Sequence, residues 1–145
     1  MKLIVKRVEW GSGEYVQALG LRDRVLRQPL GLKLSEGDVA GEERQEHIVA
    51  VYGGMVVGCV ILFPETEKSV ARLRQLAVDE RYQKQGIGKE LAAYFETYAR
   101  LAGYKSIVFH ARKNVREFYE KLGFEVYGDE FIEKGILHIK MRKCI

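Results

Sequence analysis

The chain contains no apolar run approaching the ~18–20 residues needed to cross a bilayer. Its first apolar stretch, Leu3-Ile4-Val5, is interrupted at Lys6. Neither a membrane span nor an export signal is therefore expected, and the N-terminus reads as a first strand. Proline is scarce: Pro29 and Pro64 are the only two, both in loop-like stretches. No repeat, low-complexity tract or proline-rich linker divides the chain. The two cysteines, Cys59 and Cys144, lie far apart and have no partner at metal-ligand spacing. A disulfide framework and a structural metal are not expected, and the pattern suits reduced thiols in the cytoplasm. A block of basic residues is missing too. The net charge is +4 and the pI about 9.0, yet Lys and Arg are scattered among Asp and Glu. That scatter argues against a nucleic-acid surface and suits a highly anionic small ligand.

What is present is a chain of 145 residues, 47% hydrophobic and 30% charged. That is enough for one soluble domain with a real core, expected over residues 1–145. Residues 3–8 read as a strand. Residues 14–27 read as a helix with Ser12 as N-cap. Residues 28–46 are glycine- and charge-rich, with room for a short second helix. Strands are expected at 47–52 and 55–63 around the Gly53-Gly54 turn, and at 70–78 with Arg72 and Arg74 on one solvated face. A helix is expected over 84–102, its stripe formed by Leu91, Phe95, Tyr98, Ala99 and Ala102, with Gly103 as its stop. Residues 106–111 read as a buried strand. Residues 114–122 read as a short helix, capped by Asn114 with Glu117 and carrying Val115 and Leu122 on its core face. Strands at 124–127 and 136–141 close the chain.

The most informative stretch is Gln83-Lys84-Gln85-Gly86-Ile87-Gly88, between the apolar run Leu76-Ala77-Val78 and a helix. Free N–H groups and the dipole at a helix start make an anion site, and glycine lets a phosphate approach the backbone. A Walker loop is excluded, because Glu90 follows Gly88-Lys89 where a hydroxyl is required. A dinucleotide fingerprint fails because Leu91 stands where its third glycine belongs. The remaining pattern, Gln/Arg-x-x-Gly-x-Gly/Ala, is matched by Gln83, Gly86 and Gly88. It resembles the acyl-CoA pyrophosphate loop of the GNAT N-acetyltransferase superfamily. Asn114-Val115-Arg116-Glu117-Phe118-Tyr119-Glu120-Lys121-Leu122-Gly123-Phe124 resembles that family's Asn-x3-Phe-Tyr-x-Lys-x-Gly-Phe signature. A narrower likeness links Phe131-Ile132-Glu133-Lys134-Gly135-Ile136-Leu137-His138 to the ElaA-like and YjcF-like branch, with His47 and Arg22 at further matching positions; Leu137 replaces the branch's proline.

The resemblance implies a GNAT-like α/β (α+β) fold. Its central mixed, mostly antiparallel twisted sheet would have six to seven strands flanked by helices, with a strand–loop–helix acyl-CoA site. It implies an acetyl-CoA-dependent N-acetyltransferase that passes acetyl to a primary amine by direct attack in a ternary complex. Acetyl-CoA (coenzyme A) would be the co-substrate, and no metal would take part. Backbone groups of Leu76, Ala77 and Val78 would bind pantetheine. Gln83, Gln85, Gly86, Ile87, Gly88 and Lys89 would cradle the diphosphate, and Asn114 and Phe118 would complete the cofactor site. The resemblance places Tyr119 at the thioester sulfur. A phenol can give the departing thiolate a proton, which makes Tyr119 the candidate general acid.

Many members carry a basic glutamate on the strand before the loop. Here Arg72, Arg74 and Gln75 occupy that strand instead. The base candidates are the three histidines, with His47 and His138 in front, and the acids of 36–46 and 129–133. An imidazole suits proton removal from an amine near neutral pH; a structural role for each histidine stays open. Glu36, Asp38, Glu42, Glu43 and Glu46 suggest an acidic rim favouring a cationic acceptor. The expected partner is a small-molecule amine, with a protein lysine or N-terminus second; neither nucleic acid nor a membrane is expected. A homodimer through the late strands is compatible with the sequence, although no apolar stripe demands it. The alternative function is a catalytically silent acyl-CoA-binding regulatory protein.

Overall fold

The computed structural model describes residues 2–145. Its strands are β1 (Leu3–Val8), β2 (Glu46–Tyr52), β3 (Met55–Pro64), β4 (Val70–Val78), β5 (Ser106–Arg112), β6 (Glu125–Glu133) and β7 (Ile136–Cys144). Its α-helices are α1 (Gly13–Arg22), α2 (Glu36–Val39), α3 (Ile87–Leu101) and α4 (Arg116–Lys121). The seven strands form one mixed sheet in the order β1-β2-β3-β4-β5-β7-β6. Every neighbouring pair is antiparallel except β4 and β5. This is the expected architecture.

Most elements follow the sequence pattern, and the differences have local causes. Ser12 caps α1 as expected, accepting from the Tyr15 N–H. The helix then widens into a π-type turn at Asp23–Arg27 and tightens at Gln28–Leu30, where Pro29 enters. A proline lacks the N–H that a continuing helix would use. Pro64 ends β3 rather than lying in a loop. Helix α3 starts at Ile87, three residues after the expected start, because Lys84 and Gly86 have φ of 63° and 86°. Its buried stripe is Ile87, Leu91, Ala92, Phe95 and Ala99; Ala102 is exposed and Tyr98 half-buried. Asn114 does not cap α4. It lies inside the tight turn Lys113–Val115, and the cap position falls to Val115 without a side-chain bond. Val115 is exposed and Leu122 half-buried, whereas Tyr119 is the buried residue of this helix. Strands β6 and β7 pair well beyond the expected 124–127 and 136–141, turning at Lys134-Gly135.

The sheet is covered on both faces by different chemistry. One core joins Ile48, Ala50, Val60, Leu62, Leu73, Ile107, Phe109 and Met141 to Leu91, Phe95 and Ala99 of α3 and Tyr119 of α4. The close seat of α3 depends on Gly58, where a Cβ would come within 2.8 Å of Leu91 Cδ1. The other face carries a smaller apolar group, in which Ala18 and Leu21 of α1 meet Val49, Val56, Cys59 and Ala77. Beside it lies an ionic network. Arg22 donates to both Glu42 carboxylate oxygens at 2.8 and 2.7 Å. The Tyr15 hydroxyl donates to Glu42 at 2.8 Å, and Arg74 Nη1 lies 3.3 Å from it. Arg22 and Glu42 are 1% and 0% exposed. Among the described residues, no helix is long and apolar enough to cross a membrane.

Candidate active site

The parallel pair β4–β5 is short. Val70, Ala71 and Arg72 pair with Ser106, Ile107 and Val108, and there the pairing ends. Beyond Arg72 the two strands diverge, leaving Leu73–Val78 without a β5 partner in the middle of the sheet. Just past this opening the chain turns through residues 79–86 into α3. The first helical bond runs from Glu90 N–H to the Gly86 carbonyl at 3.0 Å. The N–H groups of Ile87, Gly88 and Lys89 therefore precede the intrahelical ladder. No side chain caps this end. A glycine is needed at 86, where φ is 86°. Uncommitted donors, the helix dipole and an open strand edge thus meet at one place.

Most of the loop and signature residues converge there. Gln83 is committed to the scaffold, with Nε2 donating to the Val78 carbonyl at 2.9 Å. It closes the loop onto the end of β4. Gln85 and Lys89 are exposed. Phe118 of α4 leans on the start of α3, since a Cβ at Gly88 would sit 3.4 Å from Phe118 Cζ and 3.8 Å from Val78 Cγ2. Leu76 and Val78 are half-buried against the α3-side core, whereas Ala77 joins the opposite one. Asn114 is exposed.

Tyr119 packs its ring against Phe109, Phe118 and Phe124, with centroid distances of 4.4, 4.9 and 5.9 Å. Burial pushes its phenol well above the ordinary tyrosine value. No hydrogen bond among the described residues engages its hydroxyl, and no fully enclosed side-chain polar atom lacks a partner. The hydroxyl is therefore the part of this side chain that reaches the surface. A phenol so placed keeps its proton.

The structure does not bring the two histidines together: β3, β4 and β5 separate β2 from β7. His47 is 5% exposed. Its Nε2 donates to the Glu42 carbonyl at 2.7 Å, and its ring meets Tyr15 edge-on at 4.9 Å. His138 is buried on β7, with Nδ1 donating to the Ile136 carbonyl at 2.8 Å. A carbonyl only accepts, so neutral His138 carries its lone pair on Nε2, which lies 3.6 Å from Glu133. His110 Nδ1 lies 3.6 Å from the same carboxylate. Burial and then Arg72 hold the His110 imidazole below its ordinary value. The Glu133 bridge was not legible in the sequence, because it depends on the register that sets Phe131 opposite His138 and Arg112 opposite His138.

The expected acidic rim is largely neutralised. Glu42 is enclosed with Arg22, Asp38 binds Arg27, Glu46 meets Arg7, and Glu43 lies 3.8 Å from Arg44. Arg74, expected on a solvated face, donates to Gln45 at 2.7 Å and to the Asp38 carbonyl at 3.0 Å. The segment 28–45 is thus bound down largely by ion pairs, and of the five acids only Glu36 stands exposed without an ion-pair partner among the described residues. Among the described residues, no group of three or more His, Cys, Asp or Glu side chains is placed to hold a metal ion.

Residues 30–145 match the acetyltransferase (GNAT) domain family. The chain belongs to the GNAT acetyltransferase family. The uncharacterized N-acetyltransferase YitI of Bacillus subtilis (strain 168) is 29% identical over 131 residues, covering 86% of this chain and 88% of that one. The uncharacterized protein YyaT of the same organism is 33% identical over 75 residues, and this match spans about half of each chain, 52% and 51%. Among solved structures, Escherichia coli ElaA superposes with a TM-score of 0.84 at 17% identity, covering 98% of this chain and 99% of that one. A Bacillus subtilis acetyltransferase solved in complex with CoA gives a TM-score of 0.74 at 23% identity, covering 99% of both. Both solved structures share the fold of this chain.

Proposed function

We propose that this GNAT acetyltransferase moves the acetyl group of acetyl-CoA to a primary amine by direct attack, with residues 1–145 acting as one catalytic unit. The observation that carries the reading is the divergence of β4 from β5 beside the uncapped start of α3. Pantetheine enters the gap and pairs with the backbone of Leu76, Ala77 and Val78. The diphosphate settles on the amides of Ile87, Gly88 and Lys89, flanked by Gln85 and Gly86, while Gln83 holds the loop in shape. Phe118 walls the groove and Asn114 lies at its rim. That a structural relative holds CoA supports the same occupant here.

The chemistry follows from charge. The neutral amine attacks the thioester carbon, and the carbonyl electrons move to oxygen. A β4 amide, from Leu76 or Val78, stabilises that oxyanion. Collapse reforms the carbonyl and breaks the carbon–sulfur bond. Tyr119 gives its proton to the leaving sulfur and regains one from solvent. The proton left on nitrogen departs through a base. Of the histidines, His138 suits this role better: its Nδ1 is held by the Ile136 carbonyl, which leaves the Nε2 lone pair to accept the proton. His47, tied between Glu42 and Tyr15, shapes the acceptor side.

Titration calorimetry with acetyl-CoA is expected to show saturable binding; binding of a dinucleotide instead would reject the reading. Tyr119→Phe is expected to lower turnover about 100-fold while leaving acetyl-CoA affinity within twofold. Unchanged turnover would remove the acid role.

A further inference from the structure

We infer that Arg22 is a positioning residue for the amides of β4, and that it acts through Gln75. The inference rests on the reading of the β4 gap as the acetyl-CoA site. The ladder between β3 and β4 pairs Ile61 with Arg74 and Cys59 with Ala77. Two residues, Gln75 and Leu76, therefore stand opposite the single residue Val60. Such a bulge removes its extra residue from the ladder and re-aims the backbone that follows. This one lies where β4 has already lost β5, so its amides can face a ligand.

The bulge is built in an unusual way. Gln75 has φ of 56°, a left-handed conformation in which glycine would be at ease and glutamine is strained. Strain of this kind persists only where the surroundings impose it. The side chain supplies that restraint: Gln75 Oε1 accepts from Arg22 Nε at 3.2 Å. Arg22 has no freedom to do otherwise. Both its terminal nitrogens are spent on Glu42, which is itself held by Tyr15 and approached by Arg74. The planar guanidinium then leaves Nε pointing at Gln75. On the backbone side, Cys59 Sγ lies 3.8 Å from the Gln75 carbonyl. A fully enclosed arginine on α1 thus fixes one peptide of β4, the peptide that leads into the proposed oxyanion donors. A pair serving stability alone would need no link to the bulge.

The test uses Gln75→Ala, Gln75→Gly and Arg22→Lys. Alanine loses the anchor and keeps the strain. Glycine loses the anchor and accepts the left-handed conformation. Lysine keeps the charge beside Glu42 but cannot bridge to Gln75. Acetyl-CoA hydrolysis, with water as acceptor, is followed by thiol release. Gln75→Ala and Arg22→Lys are expected to lower kcat about 10-fold with KM for acetyl-CoA within twofold, a fraction of the effect of deleting an oxyanion donor. Gln75→Gly is expected to return to within about threefold of wild type. In 15N-labelled protein, acetyl-CoA should shift the amides of residues 87–89 and 76–78. In Gln75→Ala and Arg22→Lys only the first set should move, and in Gln75→Gly both. The inference is overturned if Gln75→Ala behaves as wild type, if glycine does no better than alanine, or if Arg22→Lys retains the second set. No amide shift anywhere in the wild type would instead overturn the acetyl-CoA reading.

Discussion

The two faces of the sheet are held by opposite means. Under α3 and α4 the contacts are apolar and continuous, with Leu91, Phe95 and Ala99 each 0% exposed. Under α1 and residues 28–45 an arginine and a glutamate are enclosed as completely as any leucine, linked to Tyr15, Arg74 and Gln75. The apolar face tolerates apolar side chains that keep its total volume. The ionic face tolerates only matched partners. The first supports the sheet; the second defines the shape of one strand beside the gap.

Removing one residue from either face should weaken folding by a similar amount, for different reasons. Phe95→Ala leaves a cavity and is expected to destabilise by about 3–5 kcal/mol in denaturant titration. Glu42→Ala strands the Arg22 charge, for about the same loss. The comparison sharpens with the paired variant Arg22→Met plus Glu42→Leu. Its stability should recover only part of that loss: removing both charges also removes their desolvation, but the Tyr15 hydroxyl loses its acceptor and Gln75 its donor. A double variant as unstable as Glu42→Ala would show that the ionic face is a stability device first.

Gly58→Ala tests the apolar face from the sheet side. The added methyl meets Leu91 at 2.8 Å, and α3 must shift, for an expected loss of about 1–3 kcal/mol. The smallest effect is acid sensitivity, to which the ionic face contributes. Hydrogen bonds from Arg27 hold the Asp38 carboxyl well below its ordinary range. Burial would raise Glu42, but bonding to Arg22 prevails and lowers it. Groups whose folded pKa is depressed contribute stability that is full above the unfolded value, near 4, and is lost as pH falls through the folded one. The unfolding midpoint should stay flat from pH 7 to about 5 and then decline. The Arg22→Met plus Glu42→Leu variant should decline less steeply.

The same contrast explains what could be read from the amino-acid order. Helix α3 announced itself through spacing, and the loop before it through its glycines, because both depend on neighbours in sequence. The partners of Arg22 did not. Glu42, Tyr15 and Gln75 come together only when α1, the 28–45 segment and β4 assemble, and no local pattern encodes that meeting. Asn114 misled for the same reason: it has the chemistry of a cap, but its position in the Lys113–Val115 turn sets the cap one residue later. The acids of 36–46 looked free because their arginine partners, Arg7, Arg22 and Arg27, are distant or ambiguous in a linear reading.

The parting of β4 from β5 gives this sheet a raw edge in its interior. Edges of that sort recruit any extended polypeptide able to complete the ladder. With acetyl-CoA as the proposed occupant, the emptied protein would accordingly be the stickier form, and saturating acetyl-CoA would act as a chaperone against self-association.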